Sequence, residues 1–454
     1  MPRKPSAEKK FLTNHKALNK MRMAFDKEAV SQNIRFRGYE RRRQMSEKFP
    51  TLSLKERDRR RRLTRKFMKD RSLDCLLVAG LKGREKYESY FTNEYAQGFV
   101  IFPIDKEPVY VTWGSNVVLR HMEKTLKKEK WWVKDIRPKA TGPGLVEIIK
   151  EKGLDQARIG VVGLESRGPQ EMEGIIPYMT WSFILEKLPQ ATFVDVSMPF
   201  AEMIMVKSEE ELRMVRISAE IGELACKMML RVTRAGVPET EIYAATTGVI
   251  HQHGAISTAA GMILVSGPEN MSWGPPIWAH RGGEPRIIQK GDIVLAEIFP
   301  IYGGFETQQQ MGIGVKPVLS VHKECAEVAR RSYDAGIKAL RVGNTFIDVC
   351  NAMEAPVAEA GYWHLTPLIH SMCPLTWVGS VHKGIEQLPG ARKAEAKTVP
   401  PLGSELKIKP GMVFALEPNA CKGRYRVNIG GTVIVKKDGV EELNKLANEL
   451  QLVG

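Results

Sequence analysis

The sequence predicts a mixed α/β (α+β) chain in which a basic arm precedes two domains. With 454 residues, of which 43% are hydrophobic and 26% charged, the chain is long enough for two or three domains with hydrophobic cores. Short apolar segments typical of strands alternate with longer segments of helical spacing. The excess positive charge is confined to one end. The longest apolar stretches, at residues 74–80 and 291–300, are too short for a membrane-spanning helix, which needs about 18 residues.

The first domain is predicted to be a sheet flanked by helices. Its strands are rich in β-branched and aromatic residues and are bounded by Gly, Pro or charged residues. They are expected at residues 74–78, 98–102, 108–112, 158–162 and 192–196. Residues 144–152 and 169–188 have the length and the apolar spacing of helices.

The second domain is predicted to begin near Met205 with a capped helix. Ser208 can cap a helix whose first turn, residues 209–211, is entirely acidic, and negative charge is favourable at that end of the helix dipole. A second helix follows the turn at Gly236. Further helices are expected at residues 325–340 and 345–360, and strands at 292–298, 305–315, 412–417 and 427–435.

Residues 1–70 are predicted to form a basic helical extension. They carry 23 Lys and Arg against 8 Asp and Glu, which leaves the rest of the chain close to neutral. Such an arm can attract polyanions or a membrane surface, or it can be a solvated helix that packs on its own body or on a partner subunit. Its apolar residues show no stacking or recognition pattern, so the second interpretation is favoured and nucleic-acid binding is not expected.

Cellular location and cofactors are also constrained by the sequence. The N-terminus lacks the apolar segment of a secretory signal, and the six cysteines include no C-x-x-C pair, so we expect a cytoplasmic protein with reduced thiols. No glycine-rich loop of the phosphate-binding type occurs, and a nucleotide cofactor is not expected.

Four segments of the second domain carry a family resemblance. They are residues 205–211 (Met-Val-Lys-Ser-Glu-Glu-Glu), 291–295 (Gly-Asp-Ile-Val-Leu), 359–362 (Glu-Ala-Gly-Tyr) and 409–418 (Lys-Pro-Gly-Met-Val-Phe-Ala-Leu-Glu-Pro). In kind and order they resemble the creatinase, prolidase and aminopeptidase P group of the M24 family. The resemblance implies a pita-bread catalytic domain at residues 205–454, a smaller α/β creatinase/prolidase-type domain at 71–204, and a homodimer.

The same resemblance implies a depleted metal site. Metallopeptidases of this family hold two divalent ions with two Asp, one His and two Glu. The matching positions here are Glu297, Gln308, His370, Glu417 and Gly430, so three of the five no longer carry the family residue. Hard or borderline cations prefer carboxylate or imidazole ligands, which an amide replaces poorly and glycine not at all. We therefore expect neither a bound metal nor another cofactor, with a single ion held by Glu297, His370 and Glu417 as the alternative.

Creatinase shows how this fold acts without a metal, since it hydrolyses a C–N bond with a histidine as proton shuttle. That histidine stands eleven residues before the Gly of the Gly-Asp pair, and His280 occupies the position here. Histidine suits the task because it titrates near neutral pH. The resemblance implies that Glu417 binds the substrate nitrogen or polarises water. Glu297 ends an apolar strand, and a carboxylate in such a place needs a partner.

The remaining predicted site residues bind substrate. Glu306, Gln308 and Gln310 alternate, so on a strand they share one face and form a polar pocket wall, unless the strand is simply an exposed edge. His370 is either a second pocket histidine or a packed one. Trp273, Trp278 and Trp377 are candidates for the pocket lining, and Tyr90 for an aromatic lid over the partner subunit's pocket, although single aromatics more often pack in a core.

The sequence thus predicts a metal-independent hydrolase of a C–N bond, such as an amide, urea or amidine, in a small polar molecule. Two alternatives stay open. One is a metal-dependent M24 peptidase or an enzyme similar to dimethylsulfoniopropionate lyase, which shares the fold. The other is a non-catalytic pita-bread binding module, as found in a histone chaperone.

Overall fold

The structure is a computed structural model of the chain. It describes residues 49–80, 87–94, 98–127, 131–164, 176–365, 367–380, 383–388 and 404–454. The body begins at Leu52 and forms one compact unit that extends to Gly454. Most of the basic arm, residues 1–48, lies outside the described residues.

The N-terminal domain is built on a six-stranded sheet, as the strand pattern predicts. Its strands are β1 (Cys75–Ala79), β2 (Gly98–Pro103), β3 (Val109–Thr112), β4 (Asp135–Arg137), β5 (Arg158–Val162) and β6 (Thr192–Asp195). Their order is β4-β3-β2-β1-β5-β6. β1 pairs antiparallel with β2 and parallel with β5. The central strands are fully buried, which is why they read as nearly continuous apolar runs.

Helices cover this sheet and precede it. They are α1 (Leu54–Lys69), α2 (Ser89–Thr92), α3 (Ser115–Leu126), α4 (Gly142–Glu151), α5 (Tyr178–Lys187) and α6 (Ser197–Met205). The helix expected at residues 169–188 is observed only as α5, and residues 165–175 lie outside the described residues. Gly142 and Pro143 begin α4 after the cap Thr141, whose side chain accepts a hydrogen bond from the Gly144 backbone.

The helix α1 lies in the basic segment and packs on the body of its own chain. Ser53 caps it by accepting from the Glu56 backbone nitrogen. The buried Arg60 pairs with Glu56 and with Glu211 of the second domain, at 2.9 and 2.8 Å. Its guanidinium also lies 4.5 Å from the centre of the Tyr90 ring. In this described part of the arm, Arg57, Arg59, Arg60, Arg61 and Lys66 form ion pairs within the chain.

The C-terminal domain surrounds a larger sheet with helices. Its helices are α7 (Glu209–Val232), α8 (Glu239–Gln252), α9 (Ile277–Arg281), α10 (Ser320–Ala339) and α11 (Phe346–Glu359). The cap predicted at Ser208 is present as a capping box in which Glu211 returns the hydrogen bond. Thr345 and Asp348 form a second capping box at the start of α11.

The strands of this domain are β7 (Ile256–Gly267), β8 (Ile293–Tyr302), β9 (Phe305–Glu306), β10 (Gln309–Val315), β11 (Ile369–Ser371), β12 (Val413–Leu416), β13 (Asn419–Lys422), β14 (Tyr425–Asn428), β15 (Gly430–Lys436), β16 (Gly439–Glu442) and β17 (Gln451–Val453). The main path of the sheet is β11-β12-β15-β10-β8-β7, and β13 with β14 forms a separate hairpin. β7 was not predicted. The strands expected at residues 305–315 and 427–435 are each interrupted, and both interruptions lie beside the candidate site.

No helix among the described residues is long and apolar enough to cross a membrane.

Candidate active site

Four strands bring the predicted polar residues into one buried cluster. Glu297 lies in β8, directly opposite Gln310 of β10. His370 lies in β11, and Glu417 follows the last residue of the neighbouring strand β12. The side chains of all four residues are almost fully removed from solvent. The strand order of the large sheet therefore assembles residues that are up to 120 positions apart in the sequence.

His370 and Glu417 form the closest pair in this cluster. The imidazole Nε2 lies 2.6 Å from Glu417 Oε1 and 3.1 Å from Gln308 Oε1, while Nδ1 lies 2.9 Å from the Ser371 carbonyl oxygen. Every one of these partners is an acceptor, so the contacts are all satisfied when both ring nitrogens carry a proton. When the imidazole is protonated, its contact with Glu417 is a buried ion pair.

Gln308 connects this pair to Glu306. Its side-chain nitrogen donates to Glu306 Oε1 at 3.0 Å, which fixes the amide so that its oxygen faces His370. Its backbone nitrogen donates to Thr432 Oγ1 at 2.9 Å. Glu306, Gln308 and Gln310 are all buried, so the prediction of an interior polar wall describes them better than the exposed-edge alternative.

Glu297 is a carboxyl whose pKa is strongly raised by its surroundings. Its Oε1 accepts a hydrogen bond of 2.8 Å from the indole nitrogen of Trp273, a residue that is 43% exposed. Burial and the negative charge of Glu417 raise the pKa of Glu297 to about 8, against the opposing effects of Trp273, Arg426 and His370. At neutral pH this carboxyl therefore holds a proton. Its hydrogen bond to Trp273 links this buried carboxyl to a side chain that reaches solvent.

A buried arginine borders the cluster on the hairpin strand β14. Arg426 is 2% exposed, and its Nη2 donates to the Ser272 carbonyl oxygen at 3.0 Å. Its Nε and Nη1 have no hydrogen-bond partner among the described residues. Burial lowers the pKa of this guanidinium. Two residues further along β14, Asn428 donates to Gln310 Oε1 at 2.5 Å.

Neither Arg426 nor Asn428 was predicted as a site residue. One signal for them was present in the sequence. Arg426 and Asn428 stand at alternate positions around the start of the strand predicted at residues 427–435, so their side chains share one face of it. Trp273 was considered only as a possible lining residue. Its hydrogen bond to Glu297 depends on how the loop after β7 folds back over the sheet, which sequence spacing does not reveal.

The structure does not bring His280 into the cluster. This residue lies on the short helix α9, is exposed, and makes no side-chain hydrogen bond to any described residue of the cluster. Its neighbour Trp278 donates to Glu239 at 2.9 Å and packs edge-on against Tyr243. Among the described contacts, Trp278 therefore anchors α9 to α8 rather than contacting the cluster.

Tyr90 lies in the hydrophobic core of the N-terminal domain. It is 7% exposed and packs edge-on against Phe91 and Phe200. A lid needs an exposed side chain, so the structure places Tyr90 in a packing position and not at a pocket. Part of the loop expected to form the lid, residues 81–86, lies outside the described residues.

Comparison with known proteins agrees with the fold and the strand order. The profile of metallopeptidase family M24 matches residues 213–437, and that of the creatinase/prolidase N-terminal domain matches residues 59–206. The chain belongs to the M24 family. A creatinase from a Bacillus species is 20% identical over 414 residues, 87% of this chain and 92% of the creatinase. An Xaa-Pro dipeptidase from Pyrococcus horikoshii is 22% identical over 389 residues, 85% of this chain and 96% of the dipeptidase.

Solved M24 structures have the same architecture. The crystal structure of an X-Pro aminopeptidase from Thermotoga maritima matches with a TM-score of 0.65 at 15% identity, covering 87% of this chain and 99% of that one. A prolidase from Pyrococcus horikoshii matches with a TM-score of 0.63 at 18% identity, covering 87% and 100%. The pita-bread fold and the creatinase-type N-terminal domain are thus confirmed. The N-terminal profile begins inside α1, which agrees with the packing of this helix on the body.

The residues present do not fit the two-metal site that M24 metallopeptidases imply. Gly430 has a φ of +126°, and a Cβ there would lie 2.0 Å from the Leu416 carbonyl oxygen, so the backbone excludes a ligand side chain. The Gln308 amide is already engaged by His370 and Glu306. Within the described ranges, no group of three or more His, Cys, Asp or Glu residues is arranged to hold a metal ion.

Proposed function

We propose that this M24-family hydrolase cleaves a C–N bond in a small polar molecule without a metal, by proton transfers between its buried carboxyl groups. The observation that carries the proposal is the contrast between two neighbouring acidic residues. Glu417 lies 2.6 Å from the imidazole of His370, whereas burial makes Glu297 hold its proton at neutral pH. In the proposal Glu417 reacts as the carboxylate and Glu297 as the acid, which is the pairing that acid–base hydrolysis requires.

In the proposed reaction, Glu417 acts as the base and Glu297 as the acid. Glu417 takes a proton from water as the water oxygen bonds to the substrate carbon. Glu297 gives its proton to the leaving nitrogen as the C–N bond breaks. The proton on Glu417 then returns to Glu297 through solvent, which restores both groups. His370 orients Glu417 and balances its charge.

The proton-shuttle role predicted for His280 does not form part of this reaction. His370 is the histidine that contacts Glu417, and both of its nitrogens face acceptors. Gln308 and Gln310 remain proposed substrate-binding residues, because uncharged amides can donate and accept without changing the proton balance of the site.

The decisive experiment measures ammonia or amine release from small amides, ureas and amidines by the full chain after treatment with a chelator. We expect turnover that survives the chelator. Glu417→Gln and Glu297→Gln should each lower kcat by a factor on the order of 10² to 10⁴, the usual contribution of a positioned acid or base. His280→Ala should keep wild-type activity. The exposed Glu359→Gln serves as the matched control for an acidic residue changed to its amide.

Three outcomes would contradict the proposal. Turnover that appears only with added divalent ions, for example on an Xaa-Pro dipeptide such as the relatives' names indicate, would favour the metal-dependent alternative. Absence of turnover on every candidate, with a folded protein, would favour the binding module. Loss of activity in His280→Ala with retention in Glu417→Gln would return the proton transfer to His280.

We also propose a homodimer. Exposed apolar side chains on one helix of the N-terminal domain support it, because Leu119, Met122 and Leu126 lie at helical spacing on α3. Light scattering after gel filtration should give twice the monomer mass. Replacing the three residues by Gln should give the monomer, and an unchanged dimer would place the interface elsewhere.

A further inference from the structure

Arg426 is a buried cation without a counter-charge in direct contact. Two of its three guanidinium nitrogens have no hydrogen-bond partner among the described residues, although the side chain is 2% exposed. No ion pair joins it to any carboxylate in the described part of the chain; Glu297 acts on it only at a distance. An uncompensated buried charge is costly and is rarely kept without a function.

The position of this charge ties it to the proposed active site. Nη2 of Arg426 donates to the carbonyl oxygen of Ser272, and the next residue, Trp273, donates to the carboxyl of Glu297. Two consecutive loop residues thus hold the guanidinium on one side and the proposed catalytic acid on the other. A ligand contacting Arg426 lies beside the group that would protonate its leaving nitrogen.

A second set of unused polar atoms lies next to the guanidinium. Arg426 and Asn428 are two residues apart on β14, so their side chains leave the strand on the same face. Asn428 bonds to the Gln310 oxygen, which leaves the Gln310 amide nitrogen and the Asn428 oxygen without partners among the described residues. The face therefore presents three free donor atoms, Nε and Nη1 of Arg426 and Nε2 of Gln310.

We propose that this face is a carboxylate-binding subsite and that the substrate carries a carboxylate group held by Arg426, with Gln310 as a further donor. The inference rests on the proposed function only in assigning the ligand to the same pocket. Nη2 carries two hydrogens and donates one of them to the Ser272 carbonyl oxygen, so its other hydrogen and the hydrogen of Nε or Nη1 form one edge of the planar guanidinium, which suits the two oxygens of one carboxylate. The single charge of a carboxylate balances the single charge of Arg426. A phosphate dianion brings one more negative charge than Arg426 balances and is disfavoured.

Binding of acetate tests this inference without any turnover. Thermal unfolding and tryptophan fluorescence of the full chain are followed as sodium acetate is added at constant ionic strength with sodium chloride. Acetamide has the same shape without the charge. We expect acetate to raise the Tm in a saturable manner and acetamide to bind about tenfold more weakly or not at all, since hydrogen bonds to charged groups are the stronger ones.

Two variants assign the binding to Arg426. Arg426→Gln should abolish the response to acetate, whereas Arg424→Gln, at an exposed arginine of the same hairpin paired with Glu269, should keep it. Asn428→Asp places a carboxylate beside the guanidinium. We expect this second variant to have a raised Tm and to no longer respond to acetate, so the inference stays testable even if Arg426→Gln fails to fold.

Three results would overturn the inference. They are equal responses to acetate and acetamide, a wild-type response in Arg426→Gln, and a response to inorganic phosphate that exceeds the response to acetate at equal ionic strength. Because binding is measured directly, absence of turnover leaves this test intact. Acetate binding with no hydrolysis would reject the proposed function and support the subsite. Hydrolysis with no acetate binding would support the proposed function and reject the subsite.

Discussion

Replacing Glu297 by Gln tests the protonated carboxyl on which the proposed reaction depends. The amide oxygen of Gln can still accept the hydrogen bond from Trp273, so the change removes the titrating group with little loss of packing. In the wild-type chain the native pKa of Glu297 is about 8, raised by burial and by Glu417. In the unfolded chain the pKa of a Glu side chain is about 4.3.

The direction of the effect follows from these two pKa values. Between them the native chain keeps a proton that the unfolded chain releases, so this group lowers the free energy of unfolding as the pH rises. The limiting slope is about 1.4 kcal/mol per pH unit. From about pH 5.5 to about pH 7 the free energy of unfolding of the wild type should therefore fall by about 2 kcal/mol relative to that of Glu297→Gln, because the variant has no titrating group at this position.

Urea unfolding at a series of pH values, followed by circular dichroism, measures this difference. Subtracting the two chains cancels the titration of all other groups that the substitution leaves unchanged. Glu359→Gln, at an exposed position outside the cluster, is the matched control for changing an acidic residue to its amide. A difference between wild type and Glu297→Gln that stays constant within about 0.5 kcal/mol over this range would show that Glu297 is ionised, and the assignment of the acid would fail.

Two further predictions concern stability. Gly430→Ala should lower the free energy of unfolding by about 3 kcal/mol or more, because the new Cβ would lie 2.0 Å from the Leu416 carbonyl oxygen. Gly439→Ala, with φ of +141° and open space around it, should show only the smaller cost of backbone strain. Equal costs for the two variants in thermal or urea unfolding would contradict the steric argument. Arg60→Met should lower the free energy of unfolding by about 3 to 5 kcal/mol, because it removes an ion-pair partner from the buried carboxylates of Glu56 and Glu211. Lys66→Met, which removes an exposed ion pair, should lower it by less than about 1 kcal/mol. Similar urea midpoints for the two variants would mean that α1 is not anchored by charge.

Much of the fold could be predicted because its signals are local. The buried strands of the N-terminal sheet appear as short β-branched runs, and the capping box at Ser208 depends on residues three positions apart. β7 escaped prediction because Ile256–Gly267 contains a register shift and small polar residues that hide its alternation. The interruptions of the expected strands at Thr307 and Ile429 were not predicted for a different reason. Only the neighbouring strands decide where the pairing of a strand stops.

The candidate site could be predicted only in part. Glu297, Gln308, His370 and Glu417 were identified from family positions, and the structure brings them together. The spacing argument for His280 identified a position along the chain but not a direction in space, and the described helix α9 leaves this residue exposed.

The sequence by itself determined the family, the order of the elements and the loss of the metal-binding carboxylates, because each of these is written in residue identities and short spacings. Only the tertiary structure decided which histidine meets Glu417, which carboxyl keeps its proton and where Arg426 points. These properties depend on burial and on contacts between strands that are distant in the sequence. A charge is stabilised or penalised by whatever surrounds it in space, and its sequence neighbours do not specify those surroundings.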